Sequence, residues 1–279
     1  MTQEPIKIDV DQVLRARLPR HYRYIPRFAV RWLERTICQD RLNAILADMA
    51  GKDGVSAADA ALHDMDITLH ATGLDQLPTG RRYLFVSNHP LGGLDGLCLI
   101  SLLGHHYDKH IKFLVNDLLM AVKPLHDVFL PINKFGSQSR EAAGLIEQAL
   151  QSDNQIITFP AGLCSRLLDN GEVGDLEWRK AAVSHAITYQ RDVVPVFFDA
   201  RNSRSFYRKA RWRKRLGIKF NVEMMYLPQE MIKQSGSTMH VMVGEPIAWC
   251  SLDGSHARQE AHRLRSIVYS LADGGQQQS

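Results

Sequence analysis

The chain has 279 residues, 34 Lys+Arg against 30 Asp+Glu, 45% hydrophobic residues and 8% aromatics. This balance excludes intrinsic disorder, and 19 Gly with 11 Pro exclude a fibrous or low-complexity chain. No apolar run approaches the roughly 20 residues that span a bilayer, and the N-terminus MTQEPIKIDV carries no apolar core of a secretory signal. Cys38, Cys98, Cys164 and Cys250 lie far apart with no C-x-x-C pair, which argues against structural zinc or a disulfide framework and fits a reducing, cytoplasmic setting.

In chain order, residues 1–60 read as helical. Pro26 opens a stretch to about Met49, with Val30, Leu33, Ile37, Leu42, Ile45, Leu46 and Met49 near helical spacing. Arg27, Arg31 and Arg35 recur every fourth residue beside Phe28 and Trp32. The polar stretch Gly51–Ala57 reads as a linker. From residue 65 the texture alternates between strands and helices. Expected strands are Ile67–Ala71, Tyr83–Ser87, Ile111–Val115, Val128–Ile132, Gln155–Phe159, Val193–Phe198, Phe220–Leu227 and Met239–Val243. Expected helices are Asp95–Leu103, Ser139–Leu150, Asp175–Tyr189 and His256–Ala272. The pattern predicts an α/β fold: a mixed, largely parallel sheet flanked by helices over 65–279, with an N-terminal helical appendage over 1–60.

Charge is unevenly placed. Residues 15–35 hold seven Arg and one acid, and residues 201–215 hold eight Lys or Arg and no acid. The other 243 residues are left with nineteen basic and twenty-nine acidic side chains. Such asymmetry points to an anionic partner: an anionic membrane surface, an acidic carrier protein or nucleic acid.

Three segments carry candidate chemistry. In VSNHPLGGLDG, Val86–Gly96, an apolar strand ends at Ser87-Asn88, His89 follows, and Asp95 opens an apolar helix a short turn later. Ligands of open α/β sheets bind at the carboxyl ends of strands. A carboxylate folded back onto His89 would fix its tautomer and stabilise the imidazolium, which suits a general base acting on a hydroxyl. In ITFPAGLCSR, Ile157–Arg166, a second strand ends in Pro160, Ala161 and Gly162, then Ser165-Arg166, a plausible seat for a phosphate or carboxylate. In FLPINKFG, Phe129–Gly136, a third strand delivers Asn133 and Lys134.

Asn88-His89…Asp95, Ile132-Asn133-Lys134, Phe159-Pro160-Ala161-Gly162 with Ser165-Arg166, and Val194-Pro195-Val196 together resemble the glycerophospholipid acyltransferases, including the 1-acylglycerol-3-phosphate acyltransferases. The resemblance covers roughly residues 65–247 and implies His89 as the base and Asp95 as its orienter. It places Lys134 and Arg166 at the acceptor's anionic head group, with Asn88, Asn133, Phe159, Pro160, Gly162 and Ser165 around the substrate. It implies direct attack on the thioester of acyl-CoA or acyl-carrier protein, with no acyl-enzyme, no metal and no tightly bound cofactor. Five residues separate His89 from Asp95 where the family usually has four, and Ala161 stands where the family has the glutamate of F-P-E-G. The HPLGGLDG variant also resembles a bacterial subgroup that acylates lyso-ornithine or lyso-glycine lipids. The acceptor is therefore expected to be either a lysophosphatidate-type glycerolipid or a lyso-amino-acid lipid.

A lyso-lipid acceptor requires access to the bilayer, so Arg27, Arg31, Arg35 and Trp32, together with Arg208, Arg211 and Trp212, are expected to contact an anionic membrane or the acyl carrier. This predicts a peripheral enzyme on the cytoplasmic face of the membrane. The cluster GHHYDKH, with His105, His106, Asp108 and His110, lacks the second ligand set of a catalytic zinc site. Cys164 reads as a packing residue rather than a nucleophile. No G-x-S-x-G elbow, P-loop or G-x-G-x-x-G is present. The rival reading is a basic peripheral-membrane or nucleic-acid-binding protein without catalysis; the paired His89 and Asp95 count against the first, and the aromatics form no RNA-recognition pattern, so no nucleic acid is expected.

Overall fold

The computed structural model describes residues 7–132, 139–168, 170–218 and 222–275. The chain opens with four helices, α1 (Val10–Arg17), α2 (Arg27–Thr36), α3 (Gln39–Met49) and α4 (Gly54–Asp64). Pro26 precedes α2 with its φ already at −70°, near the helical value. The single helix expected from Pro26 to Met49 is two, because Cys38 takes a left-handed φ of 53° and turns the chain between α2 and α3. The expected linker at 51–57 is also corrected. Asp53 accepts a hydrogen bond from the Ser56 amide at 2.9 Å and starts α4 at Gly54.

Seven strands form one sheet: β1 (Thr68–Thr72), β2 (Tyr83–Ser87), β3 (Ile111–Asn116), β4 (Phe129–Ile132), β5 (Gln155–Thr158), β8 (Asp192–Asp199) and β9 (Thr238–Val243), in the order β1-β9-β8-β2-β5-β3-β4. The β8–β9 pairing is antiparallel and the others are parallel. The short strands β6 (Arg166–Leu167) and β7 (Val173–Gly174) form a separate antiparallel pair. The remaining helices are α5 (Leu94–His106), α6 (Arg140–Gln151), α7 (Ala181–Thr188), α8 (Arg204–Arg215), α9 (Leu227–Ile232) and α10 (Ala257–Gly275).

Strand β2 is buried along its whole length, as expected of a central parallel strand covered on both faces. Phe85 and Val196 face a core shared with Leu99 of α5 and with Ile45, Val55 and Leu62 of α3 and α4. Those two N-terminal helices therefore share the main core. Leu84 and Val86 face a second core with Val183 of α7 and Leu264 of α10. Thus β2 leaves the sheet through a helix on one face and its neighbour β5 leads to a helix on the other. Such divergence opens a crevice at the strand ends.

Two further expectations are overturned. The described part of the strand expected at 220–227 is a 3-10 turn, Val222–Tyr226, running directly into α9. Pro228 suits the first turn of a helix, where its missing N–H costs nothing. The helix expected from Asp175 begins only at Ala181.

Candidate active site

At the carboxyl end of β2 the backbone presents His89, and Asp95 lies in the first turn of α5. The His89 Nδ1 and an Asp95 carboxylate oxygen are 3.0 Å apart. The same oxygen accepts from the Leu91 amide at 3.0 Å, and the other accepts from the Gly96 amide at 2.9 Å. Burial by itself would raise the fully buried Asp95 carboxyl. The His89 charge and these donors outweigh it, so its pKa lies below the usual carboxylate value. An ionised Asp95 accepts from Nδ1–H and leaves Nε2 with the basic lone pair. Between His89 and Asp95, Gly92 has a φ of +89°, in the left-handed region open to glycine.

The His89 ring is fixed from a second side. Phe159, at the end of β5, stacks on it with centroids 4.0 Å apart and 17° between planes, and Phe113 supports Phe159 edge-on at 5.1 Å. The backbone is held as well. Asp175 accepts from the His89 amide at 3.2 Å, from Ser165 Oγ at 2.7 Å and from Trp178 Nε1 at 2.9 Å, while the Ser165 amide donates to the His89 carbonyl at 2.7 Å. Asp175 is therefore a brace for the His89–Asp95 loop. Its carboxylate serves His89, Ser165 and the Trp178 indole instead of the amides of a following helix, and α7 starts six residues later than expected. Sequence reading missed it, because an acid ahead of an apolar segment looks like an ordinary N-cap.

Two expected substrate-binding side chains are engaged with the protein's own groups. Asn88 donates through Nδ2 to the Phe198 carbonyl at 3.0 Å and accepts from the Phe198 amide at 2.7 Å, which clamps β2 to β8. Ser165 is engaged with Asp175 as above. Both are buried, so their polar atoms need these internal partners. Pro160 is buried, whereas Gly162 is exposed at the turn after β5 with a φ of +65°.

Arg166 is also buried. Its Nη2 lies 3.6 Å from the fully buried Glu223, and Arg213 Nε approaches that carboxylate from the other side at 2.8 Å. Its other donations go to Cys164 Sγ at 2.9 Å, Met224 Sδ at 3.1 Å and the Ser165 carbonyl at 3.4 Å. Burial pushes the Cys164 thiol up to about 11, which makes it a packing residue rather than a nucleophile. Asn133 and Lys134 lie outside the described residues.

Residues 201–218 and 222–232 form a cap over the His89–Asp95 loop. Asn202 Nδ2 donates to the Pro90 carbonyl at 3.0 Å, Glu230 accepts from the Ser203 amide at 2.6 Å, and Leu227 sits against Gly92. Phe206 and Tyr207 of α8 pack on Cys164, while Arg208, Arg211 and Trp212 face outward. On α2, Arg27, Phe28, Arg31, Trp32 and Arg35 are all exposed. The histidines of the GHHYDKH segment go to separate partners: His105 to Asp59, His106 to the Leu77 carbonyl and His110 to the Tyr107 carbonyl. Among the described residues no helix is long and apolar enough to cross a membrane.

A family model described as Acyltransferase matches residues 12–274. The chain is 46% identical over 265 residues to a lyso-glycine lipid O-acyltransferase of Bacteroides thetaiotaomicron, covering 95% of this chain and 97% of the relative. It is 44% identical over 273 residues to a protein of the same description from Phocaeicola vulgatus, covering 97% and 98%. Among solved structures, the 1-acyl-sn-glycerophosphate acyltransferase PlsC of Thermotoga maritima aligns with 87% of this chain and 94% of its own, at 13% identity and a TM-score of 0.48.

Proposed function

The chain belongs to the acyltransferase family whose model it matches over residues 12–274, and on that premise we propose that it moves a fatty acyl group from a carrier thioester to the hydroxyl of a lyso-glycine lipid. The observation that carries this reading is the Asp95–His89 pair, 3.0 Å apart at the end of β2, in a chain 44–46% identical to two lyso-glycine lipid O-acyltransferases. His89 Nε2 takes the proton of the acceptor hydroxyl as its oxygen attacks the thioester carbonyl. The imidazolium so formed is stabilised by the Asp95 carboxylate. Collapse of the tetrahedral adduct expels the carrier thiolate, which receives a proton, and leaves the acyl ester. Donor carriers of either kind, acyl-carrier protein or acyl-CoA, fit this chemistry, and neither a metal nor a tightly bound cofactor enters it.

The acceptor's acyl chain lies in a bilayer, so the enzyme acts as a peripheral protein on the cytoplasmic face. Arg27, Arg31 and Arg35 with exposed Phe28 and Trp32 form the interfacial surface. Arg208, Arg211 and Trp212 of α8 extend it beside the cap or meet an acidic carrier. Lys134, carried over from the resemblance alone, is proposed to supply positive charge to the acceptor.

The test is acylation of a purified lyso-glycine lipid by an acyl thioester in mixed micelles. His89→Ala is expected to lower kcat by about 100- to 10,000-fold, the usual contribution of a general base, with the melting temperature and vesicle binding unchanged. Turnover within a few-fold of the unsubstituted enzyme would remove His89 from the mechanism.

A further inference from the structure

We propose that the acceptor's carboxylate is received by Arg179, beside the Phe159–Gly162 turn, rather than by the buried Arg166; the assignment rests on the acyl-transfer reading above. Two arginines lie near the His89 loop, and their surroundings differ. The Arg166 guanidinium is buried, holds Glu223 together with Arg213, and donates otherwise to two sulfur atoms and one carbonyl. A buried carboxylate already neutralises it, and an incoming anion would have to displace Glu223 from a site closed to water.

Arg179 is exposed, and none of the described residues hydrogen-bonds or ion-pairs with its guanidinium. Its position is nonetheless defined. The Arg179 amide donates to the Pro160 carbonyl at 3.1 Å. The preceding Trp178 is buried and donates to Asp175, whose carboxylate also holds the His89 amide. The guanidinium carbon lies 3.8 Å from where a β-carbon on Gly162 would stand, so it overlooks the turn that carries Phe159, the residue stacked on His89. Residue 161 is a buried alanine, so that turn offers the guanidinium no carboxylate. The acid two residues earlier, Glu177, lies toward Arg258 at 3.9 Å.

An exposed guanidinium without an acidic partner among the described residues, tied by its own backbone to the loop that holds His89, is a seat for an anion. One planar fork matches the two oxygens of one carboxylate.

The test is calorimetric titration of the purified protein with monomeric N-dodecanoylglycine and with its neutral counterpart, N-dodecanoylglycinamide. The unsubstituted protein is expected to bind the carboxylate about tenfold to a hundredfold more tightly, the range of one charge-assisted contact. Arg179→Gln should bring the two ligands to within a few-fold by weakening only the carboxylate, and Arg179→Lys should restore part of the preference. In turnover, Arg179→Gln should raise KM for the lyso-glycine lipid far more than it lowers kcat. A preference that survives Arg179→Gln, an equal loss for both ligands, or no preference in the unsubstituted protein would overturn the assignment. Absence of turnover on any lyso-glycine lipid would instead defeat the proposed reaction, and the titration would still decide Arg179.

Discussion

Helices α2 and α8 are matched in composition, both rich in arginine and interleaved with large aromatics, yet they stand in opposite relations to the rest of the molecule. Helix α2 buries only Val30 and Thr36 and leaves Phe28 76% and Trp32 52% exposed. Helix α8 buries Phe206, Tyr207 and Ala210 against Cys164 and its surroundings and sends Arg213 to the buried Glu223. The difference lies in phase. In α2 the aromatics share a face with Arg27 and Arg31, so no rotation of the helix hides them without burying charge. In α8 residues 206, 207 and 210 form an apolar stripe separate from the exposed Arg204, Arg208, Arg211 and Arg215. Basic, aromatic sequence therefore does not define a surface; the angular order of the residues does.

The comparison can be broken most directly by substitution. Phe206→Ala should cost about 3–5 kcal/mol of unfolding free energy, as large-to-small changes at fully buried aromatics do. Turnover should fall with it, because the cap packs on the catalytic loop. Trp32→Ala should stay within about 0.5 kcal/mol. Equal losses in denaturant titrations would mean that α2 is as built-in as α8. The next effect is on attachment. Replacing Arg27, Arg31 and Arg35 together with Gln should weaken partition onto anionic vesicles by about 3 kcal/mol, at about 1 kcal/mol per basic residue, or roughly a hundredfold. Unchanged sedimentation would make the stripe a solvated face.

The smallest effect concerns pH. Burial would raise the Glu230 carboxyl, but Lys233 and the amide and hydroxyl of Ser203 outweigh it and hold the pKa below its ordinary value. The ionised form therefore stabilises the cap above the unfolded-state pKa, and that contribution is lost as pH falls through the folded value. Protection factors for amide exchange over residues 203–218 and 222–232, corrected for the intrinsic pH dependence of exchange, should fall on acidification, and Glu230→Gln should remove that fall. Exchange in α2 should show no such dependence on Glu230.

The site was legible where its parts are neighbours in the chain. His89 and Asp95 are six residues apart, on a strand end and the helix that follows, so strand, turn and helix periodicity together bring them within reach. Phe159 and Gly162 were legible for the same reason, as the end of a second strand. Asp175, Arg179 and Glu223 were not. Each acts on a group that the chain reaches only through the fold: Asp175 on His89, Arg179 beside Gly162, and Glu223 on Arg166. The alternating apolar residues of 220–227 suggested a strand, but Met224, Tyr226 and Leu227 instead pack beneath α8. A short apolar run carries no information about which surface it will cover.

The amino-acid sequence alone determined the α/β class, most of the strand ends and the proximity of His89 to Asp95, because hydrophobic period and turn residues act over a few positions. Only the tertiary structure decided which of two arginines is neutralised in the interior and which is exposed beside the Phe159–Gly162 turn. That outcome depends on where carboxylates from distant segments come to rest once the cores have formed, and burial, not residue type, sets how much a charge has left to offer.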